Sequence, residues 1–275
     1  MMLARGWYGP LLSMALATPL LGQVVLEIES RDHRVSPPKS ETTFVVTDGQ
    51  QIALGLTSGS ANPEGGIIYR AGRREMVVLD HRDRSYMVLD KAAIQSLASQ
   101  MNQAMSQIEE SLRNVPPEQQ AFMRQMMAGQ MPSQGPPRSP AQVRRTADRA
   151  TVFGFAATRY EIWREGRKER EMYVTTWQNL DGGREVAAAF VDMGGFAQDL
   201  AAALPGGNSG PAASMDDNIF TAMNEIDGFP VGVREYRPDG TIEREWALRS
   251  AKRQRVDPAT FSPPAGYRRQ AMVGS

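Results

Sequence analysis

Alternation of apolar and polar side chains constrains the fold of this chain more than any other feature. Val24, Leu26 and Ile28 alternate with charged or polar residues, and the same period of two recurs at 52–56 and at 158–162. A period of two is typical of strands with one buried face. Strands should therefore occupy most of the stretches 24–90, 142–177 and 229–256.

Three turn signals predict which strands are neighbours. A polar turn at 81–84 separates two apolar runs, Glu165-Gly166-Arg167 separates two more, and Pro238-Asp239-Gly240 separates the last two. Turn residues between strand-like runs predict antiparallel hairpins. The closing segment 261–267 is rich in proline and predicts an irregular tail.

Two stretches with a helical period interrupt the strands. Asp90 is a good N-cap, and apolar residues follow it on one helix face: Ile94, Leu97, Met101, Met105, Ile108 and Leu112. A second helix should begin at Pro117 and present Phe122, Met123, Met126 and Met127. The alanine-rich stretch 186–204 predicts a helix interrupted at Gly194-Gly195, and a short helix should cover 216–224.

This order of elements favours an α+β fold rather than the strict alternation of a parallel sheet. The simplest arrangement is a strongly curled antiparallel sheet, an open half-barrel, with helices packed on its concave face. Residues 23–275 would form one domain, with helical insertions near 91–131 and 182–224.

The N-terminal segment predicts export. Arg5 precedes an uncharged stretch, 7–21, which Pro10 and Pro19 divide into runs too short to span a bilayer. This pattern is typical of a secretory signal, here residues 1–22, with cleavage after Gly22 or, alternatively, near residue 17. Gln23 stands where a lipoprotein would carry its lipidated cysteine, so we expect a free protein, periplasmic or secreted, without a transmembrane segment. The alternative is a buried N-terminal element of a cytoplasmic protein.

Composition argues against several classes of function. The chain has no cysteine, which excludes disulfides and thiol chemistry, and its 31 basic and 31 acidic residues give no charge excess for nucleic acid. Neither histidine lies in a catalytic pattern, and His81, in its polar turn, should be solvated. His81 with Asp80 and Asp83 lacks the spacing of a known metal loop, and no nucleotide-binding fingerprint is present. We therefore expect neither an enzyme nor a cofactor.

Several short segments resemble a known family. They are Ile67-Ile68-Tyr69-Arg70, 76–81, 85–88, 152–155 leading into 160–163, and the closing Phe261-x-Pro263-Pro264-x-Gly266-Tyr267. The chain is similar in these to the uncharacterised DUF4412 family, which has the lipoprotein-carrier fold of periplasmic LolA and LolB. That resemblance implies an open half-barrel with a helical lid over an apolar cavity.

Two functional hypotheses follow. In the first, the methionine-rich helices cover a cavity that takes a lipid, an acyl chain or another amphiphile, since methionine surfaces adapt to varied partners. The candidate lining residues are Ile94, Leu97, Met101, Met105, Phe122, Met126, Tyr160, Ile162 and Trp246. In the second, the same helices fill an ordinary core, and the protein acts through contact with another envelope protein.

Overall fold

The computed structural model describes residues 22–57, 65–113, 139, 141–203, 226 and 228–271. The described residues form two α-helices, α1 Lys91–Arg113 and α2 Gly183–Ala203, and twelve strands. The strands are β1 Gln23–Asp32, β2 Lys39–Thr47, β3 Gln51–Thr57, β4 Gly65–Arg70, β5 Glu75–Asp80, β6 Ser85–Leu89, β7 Gln142–Val152, β8 Phe155–Arg164, β9 Arg167–Thr175, β10 Phe229–Tyr236, β11 Ile242–Gln254 and β12 Arg268–Arg269.

All twelve strands belong to one sheet, in the order β12-β6-β5-β4-β3-β2-β1-β11-β10-β9-β8-β7. The predicted hairpins β5–β6, β8–β9 and β10–β11 are confirmed. Pairing of β1 with β11 joins the first strand of the chain to the last long one. The N-terminal and C-terminal halves of the sheet therefore meet at its centre.

The prediction of one sheet with packed helices is confirmed, but its finer description is not. The sheet is mixed, because β12 runs parallel to β6. It is open, with β12 and β7 at its two ends, and it is neither closed nor strongly curled. The half-barrel geometry expected from the sequence is thus not a feature of the described residues.

Helix α1 begins where the sequence places it, and α2 begins at Gly183, three residues before the predicted start. The Asp90 carboxylate accepts a hydrogen bond of 2.8 Å from the backbone N–H of Ala93, which confirms it as the N-cap of α1. Gly194-Gly195 does not interrupt α2, which is continuous. The helices predicted after Pro117 and at 216–224 lie outside the described residues, as does the predicted signal segment before Gly22.

Alternation along the strands divides the core between two faces. Val24 and Leu26 belong to a cluster that α2 completes, whereas Val25 between them belongs to a second cluster. α2 supplies Val186, Ala189, Phe190, Met193, Phe196 and Leu200, each 7% exposed or less. The sheet beneath α2 is therefore covered by closely packed side chains.

The C-terminal segment has largely irregular backbone, as expected, but it is packed on the sheet and covers the second cluster. Phe261 is 4% exposed and packs in that cluster, and its carbonyl oxygen accepts hydrogen bonds from both Nε and Nη2 of Arg70. His81 is half-buried rather than solvated, because its Nδ1 lies 2.7 Å from the hydroxyl of Tyr267. Apolar burial and these contacts fasten the segment to the sheet.

None of the helices that the structure describes is long and apolar enough to cross a membrane.

Candidate functional site: a cleft over strands β10 and β11

A cleft of about 490 Å³ lies over the central strands of the sheet. Its size falls within the range of small-molecule sites. Apolar and aromatic side chains line it together with two arginines and two glutamates. The lining residues are Glu29, Ser30, Arg31, Ala150, Thr151, Val152, Phe153, Tyr173, Gly232, Val233, Arg234, Glu245, Trp246 and Ala247.

Small residues form the floor of the cleft. Ala247 pairs directly with Gly232, and Gly232 pairs directly with Tyr173, so these three residues share one face of the sheet. A Cβ atom at Gly232 would lie 3.4 Å from Cγ1 of Val152 and 3.5 Å from Cδ2 of Tyr173. The missing side chain at Gly232 therefore leaves the depression that larger neighbours surround.

The turn between β7 and β8 forms the roof. β8 and β9 separate β7 from β10 in the sheet, yet Val152 at the end of β7 reaches the floor at Gly232. A register shift explains this, because residues 146–148 of β7 oppose Arg159 alone. Such a bulge bends a hairpin. The bent hairpin carries its turn back over β10 and β11.

Phe153 at this turn is an exposed aromatic side chain in an unusual backbone conformation. It is 50% exposed, and its φ of 45° is followed by 92° at Gly154. Positive φ at both central residues is the signature of a type I′ hairpin turn. A bulky residue is rare at the first of these positions. The turn therefore carries a phenylalanine at a position whose positive φ is unfavourable for it, and the ring of this residue lies beside the cleft.

Arg249 fixes the position of the Phe153 ring. A register shift leaves Arg249 without a partner on β1, because Ser250 pairs with Glu27 and Leu248 pairs with Ile28. The Arg249 guanidinium lies 4.2 Å from the ring centroid of Phe153 and forms an ion pair with Glu29. A cation–π contact of this kind stabilises by about 0.5–1 kcal/mol at an exposed site.

Charged residues form one rim of the cleft. Arg31, Glu245 and Arg234 are direct cross-strand neighbours on β1, β11 and β10. Glu245 accepts a hydrogen bond of 3.4 Å from Nε of Arg234 and lies 3.2 Å from Nε2 of His33. Nη1 of Arg234 also donates to the Tyr173 hydroxyl at 3.3 Å.

This row of charges continues to Glu171, the cross-strand neighbour of Arg234 on β9. Glu171 is 4% exposed, and Nζ of Lys168 donates a hydrogen bond of 2.5 Å to it. Burial raises the pKa of Glu171, but the hydrogen bonds from Lys168 and Tyr236 and the charge of Arg159 outweigh it, so this pKa lies below its usual range. Glu171 is therefore a charged, paired residue rather than a proton donor.

One predicted site residue, Trp246, borders the cleft, but with its backbone, because its side chain lies on the opposite face of the sheet from Ala247. Tyr160 and Ile162 pack with Trp246 in a separate cluster around Met172, and Ile94 packs in the cluster of α2. Leu97 lies in α1 and is half-buried. Met101 and Met105 also lie in α1, but their side chains are outside the described part of the structure, as are Phe122 and Met126 altogether. The described residues thus bring together Tyr160, Ile162 and Trp246, and place Ile94 elsewhere.

Sequence reasoning missed the floor, the roof and the charged rim of this cleft. A glycine inside a strand pattern, Gly232, marks a close approach of other groups. An aromatic residue before glycine between two strand-like runs, Phe153, marks a turn that displays a ring. Arg31 carries no such signal, because an arginine at the end of a strand is ordinary.

Within the described ranges, no group of three or more histidine, aspartate and glutamate residues could hold a metal ion.

No protein-family model matches the chain and no curated protein matches its sequence, so the resemblance to the DUF4412 family is not confirmed. Among solved structures, the chain is similar to an uncharacterised conserved protein from Thermus thermophilus, with 6% identity, a TM-score of 0.42 and 91% of each chain covered. It is also similar to PNGF-II, with 7% identity and a TM-score of 0.38, over 91% of this chain and 31% of that one. The third is Pseudomonas aeruginosa MucB in the MucA/MucB complex, with 9% identity and a TM-score of 0.38, over 89% of this chain and 56% of that one.

Proposed function

We propose that this chain is an exported, non-catalytic protein that binds an amphiphilic ligand, such as a lipid or an acyl chain, in the cleft over β10 and β11. The observation that carries the proposal is an apolar floor beside a charged rim. Gly232 and Ala247 keep the floor low, and Val152 and Phe153 form a wall at its edge, with Val152 close to Gly232. An apolar chain could be buried against the floor and along this wall while its polar end stays at the rim.

Burial of apolar surface would drive this binding. An alkyl segment that buries about 200 Å² would contribute about 5 kcal/mol, before the cost of association is subtracted. The lining residues supply no nucleophile with an adjacent base, and Glu171 beside the rim is held ionised by its partners. These features support binding without a covalent step.

The cleft over β10 and β11 does not coincide with the cavity that the sequence predicts beneath the helices. Phe190, Met193 and Phe196 fill the space between α2 and the sheet. That packing leaves α2 unsuited to the role of a lid. The proposed ligand site therefore lies against the β7–β8 turn rather than under α2.

Titration with a fluorescent fatty acid tests the proposal. We expect saturable binding by the full chain, and energy transfer from Trp246, whose backbone borders the cleft and whose side chain lies on the other face of the sheet. Gly232→Val should weaken binding at least tenfold because its side chain would occupy the floor. Gly72→Ala is the matched control, since a Cβ at Gly72 meets no atom within 4 Å. Absence of saturable binding, or equal affinity in the Gly232→Val protein, would contradict the proposal.

A second candidate function is contact with another protein of the cell envelope. The filled space beneath α2 favours it, because a packed core needs no ligand. This candidate gains support if the chain binds no fatty acid and native mass spectrometry of a periplasmic extract finds it in a complex with a second protein. Co-purified lipid at one equivalent per chain would favour the amphiphile instead.

A further inference from the structure

We infer that the polar end of the ligand is anionic and that Arg31 binds it. This inference rests on the proposed function and concerns the same cleft. The shared chemistry is a carboxylate or a phosphate on a single apolar chain.

Arg31 is an exposed arginine with unused donors. Its Nε donates a hydrogen bond of 3.3 Å to the hydroxyl of Ser40, which holds the side chain beside β2. Among the residues that the structure describes, no carboxylate lies within ion-pair distance of its guanidinium. Both Nη groups of Arg31 are therefore available to a ligand.

The acidic residues of the lining are occupied by other cations. Glu29 pairs with Arg249, and Glu245 pairs with Arg234 and faces His33. Glu245 is the direct cross-strand neighbour of Arg31, so a free Glu245 would have neutralised it. Arg249, from outside the lining, and Arg234 thus pair with both glutamates of the lining, so that Arg31 keeps a positive charge that neither glutamate neutralises.

The distance between this charge and the floor suits a single-chain amphiphile. Arg31 lies two strands from Gly232 and two residues further along the strand direction. From a strand spacing of about 4.8 Å and a rise of about 3.4 Å per residue, the two backbone positions are about 12 Å apart. An alkyl chain that lies on the floor beside Gly232 can therefore place its head group at Arg31.

A guanidinium suits such a head group. Its planar N–H donors match the two oxygens of a carboxylate or two oxygens of a phosphate. Binding at a rim open to water also leaves the rest of the head group solvated, so carboxylate and phosphate are both accommodated.

The test uses the full chain and four single-chain probes with the same dodecyl tail, at concentrations below micelle formation. They are dodecanoate, dodecyl phosphate, dodecyl maltoside and dodecyltrimethylammonium, and binding is measured by isothermal titration calorimetry. We expect each anionic probe to bind about tenfold more tightly than the neutral one, as for a hydrogen bond to a charged group. The cationic probe should bind most weakly.

Variants assign the preference to Arg31. Arg31→Gln should reduce the affinity for both anionic probes to that of the maltoside while leaving the maltoside unchanged, and Arg31→Lys should retain most of the preference. Arg255→Gln, the same charge change at an exposed position outside the lining, should change none of them.

Equal binding of all four probes, or an equal loss for every probe in Arg31→Gln, would overturn the inference about Arg31 but leave the proposed function standing. Failure of all four probes to bind would overturn both. A preference for only one of the two anions would support the inference and identify the head group.

Discussion

Truncation of Phe190 on α2 tests whether this helix is part of the core or a lid. Phe190 is 7% exposed, and its ring packs edge-on against Phe229 of β10 with 5.5 Å between the centroids. Phe190→Ala would leave a cavity between helix and sheet. Core substitutions of this kind cost about 3–5 kcal/mol, of which an aromatic pair accounts for about 0.5–1.5 kcal/mol. We therefore expect the free energy of unfolding to fall by about 4 kcal/mol.

Urea denaturation measures this loss. With a slope of about 3 kcal/mol per molar urea, a loss of about 4 kcal/mol lowers the midpoint by more than about 1 M. Trp177, whose ring centroid lies 5.8 Å from that of Phe229, places a fluorescent reporter beside the substituted residue. Far-UV circular dichroism should give the same midpoint.

Val191, the next residue of α2, provides the matched control. It is 55% exposed, so Val191→Ala should change the free energy of unfolding by no more than about 0.5 kcal/mol. Phe190 does not line the cleft, so binding of dodecanoate at temperatures where both variants are folded should be unchanged. A loss below about 1 kcal/mol for Phe190→Ala would refute the packed arrangement and restore the lid hypothesis.

Three further substitutions have defined outcomes. Phe153→Asn creates the Asn-Gly pair that a type I′ turn prefers, so the melting temperature should stay within about 2 °C while affinity for dodecanoate falls; equal affinity would exclude the ring from the site. Tyr69→Phe removes the hydroxyl that donates to the Asp192 carboxylate and should cost about 1.5–3 kcal/mol in urea denaturation; an unchanged midpoint would contradict this. Because the pKa of Glu171 is lowered from 4.5, its contribution to stability is present above that pH and is lost as the pH falls. Lys168→Met removes the partner that lowers this pKa and should shift acid unfolding, followed by circular dichroism, to higher pH; an unshifted transition would refute the assignment.

Local features of the fold could be predicted from the sequence because they depend on residues close together in the chain. The 238–240 turn between β10 and β11 and the start of α1 after Asp90 each follow from a few neighbouring residues. Gly194-Gly195 is the local exception. Helix propensity alone argues against continuity there, yet packing of Met193 and Phe196 on the sheet holds α2 together.

Long-range pairing could not be predicted in the same way. One of the two partners of β1 is β11, more than 200 residues away, and nothing in either strand specifies the other. The C-terminal segment is a second case. Its prolines predict irregular backbone correctly, but burial of Phe261 against β1–β5 depends on an apolar surface that only the assembled sheet provides.

Bulges in the strands determine where the candidate site lies, and they too depend on long-range strand pairing. In a regular register, Arg249 would pair with β1, and the β7–β8 turn would continue in line with its own strands. Neither Arg249 nor this turn would then lie near the floor at Gly232. Three register shifts, in β7, β10 and β11, instead bring the Phe153 ring, a residue without a side chain and a cation to one place. Each shift changes the pairing by one or two residues, and the strand propensities of the residues involved hardly depend on which pairing forms. The charge on Arg31 follows from the same geometry, since Glu245 could neutralise Arg31 if Arg234 and His33 were not placed to hold it. A binding site of this kind is therefore a property of the register, and sequence patterns that identify strands leave it undetermined.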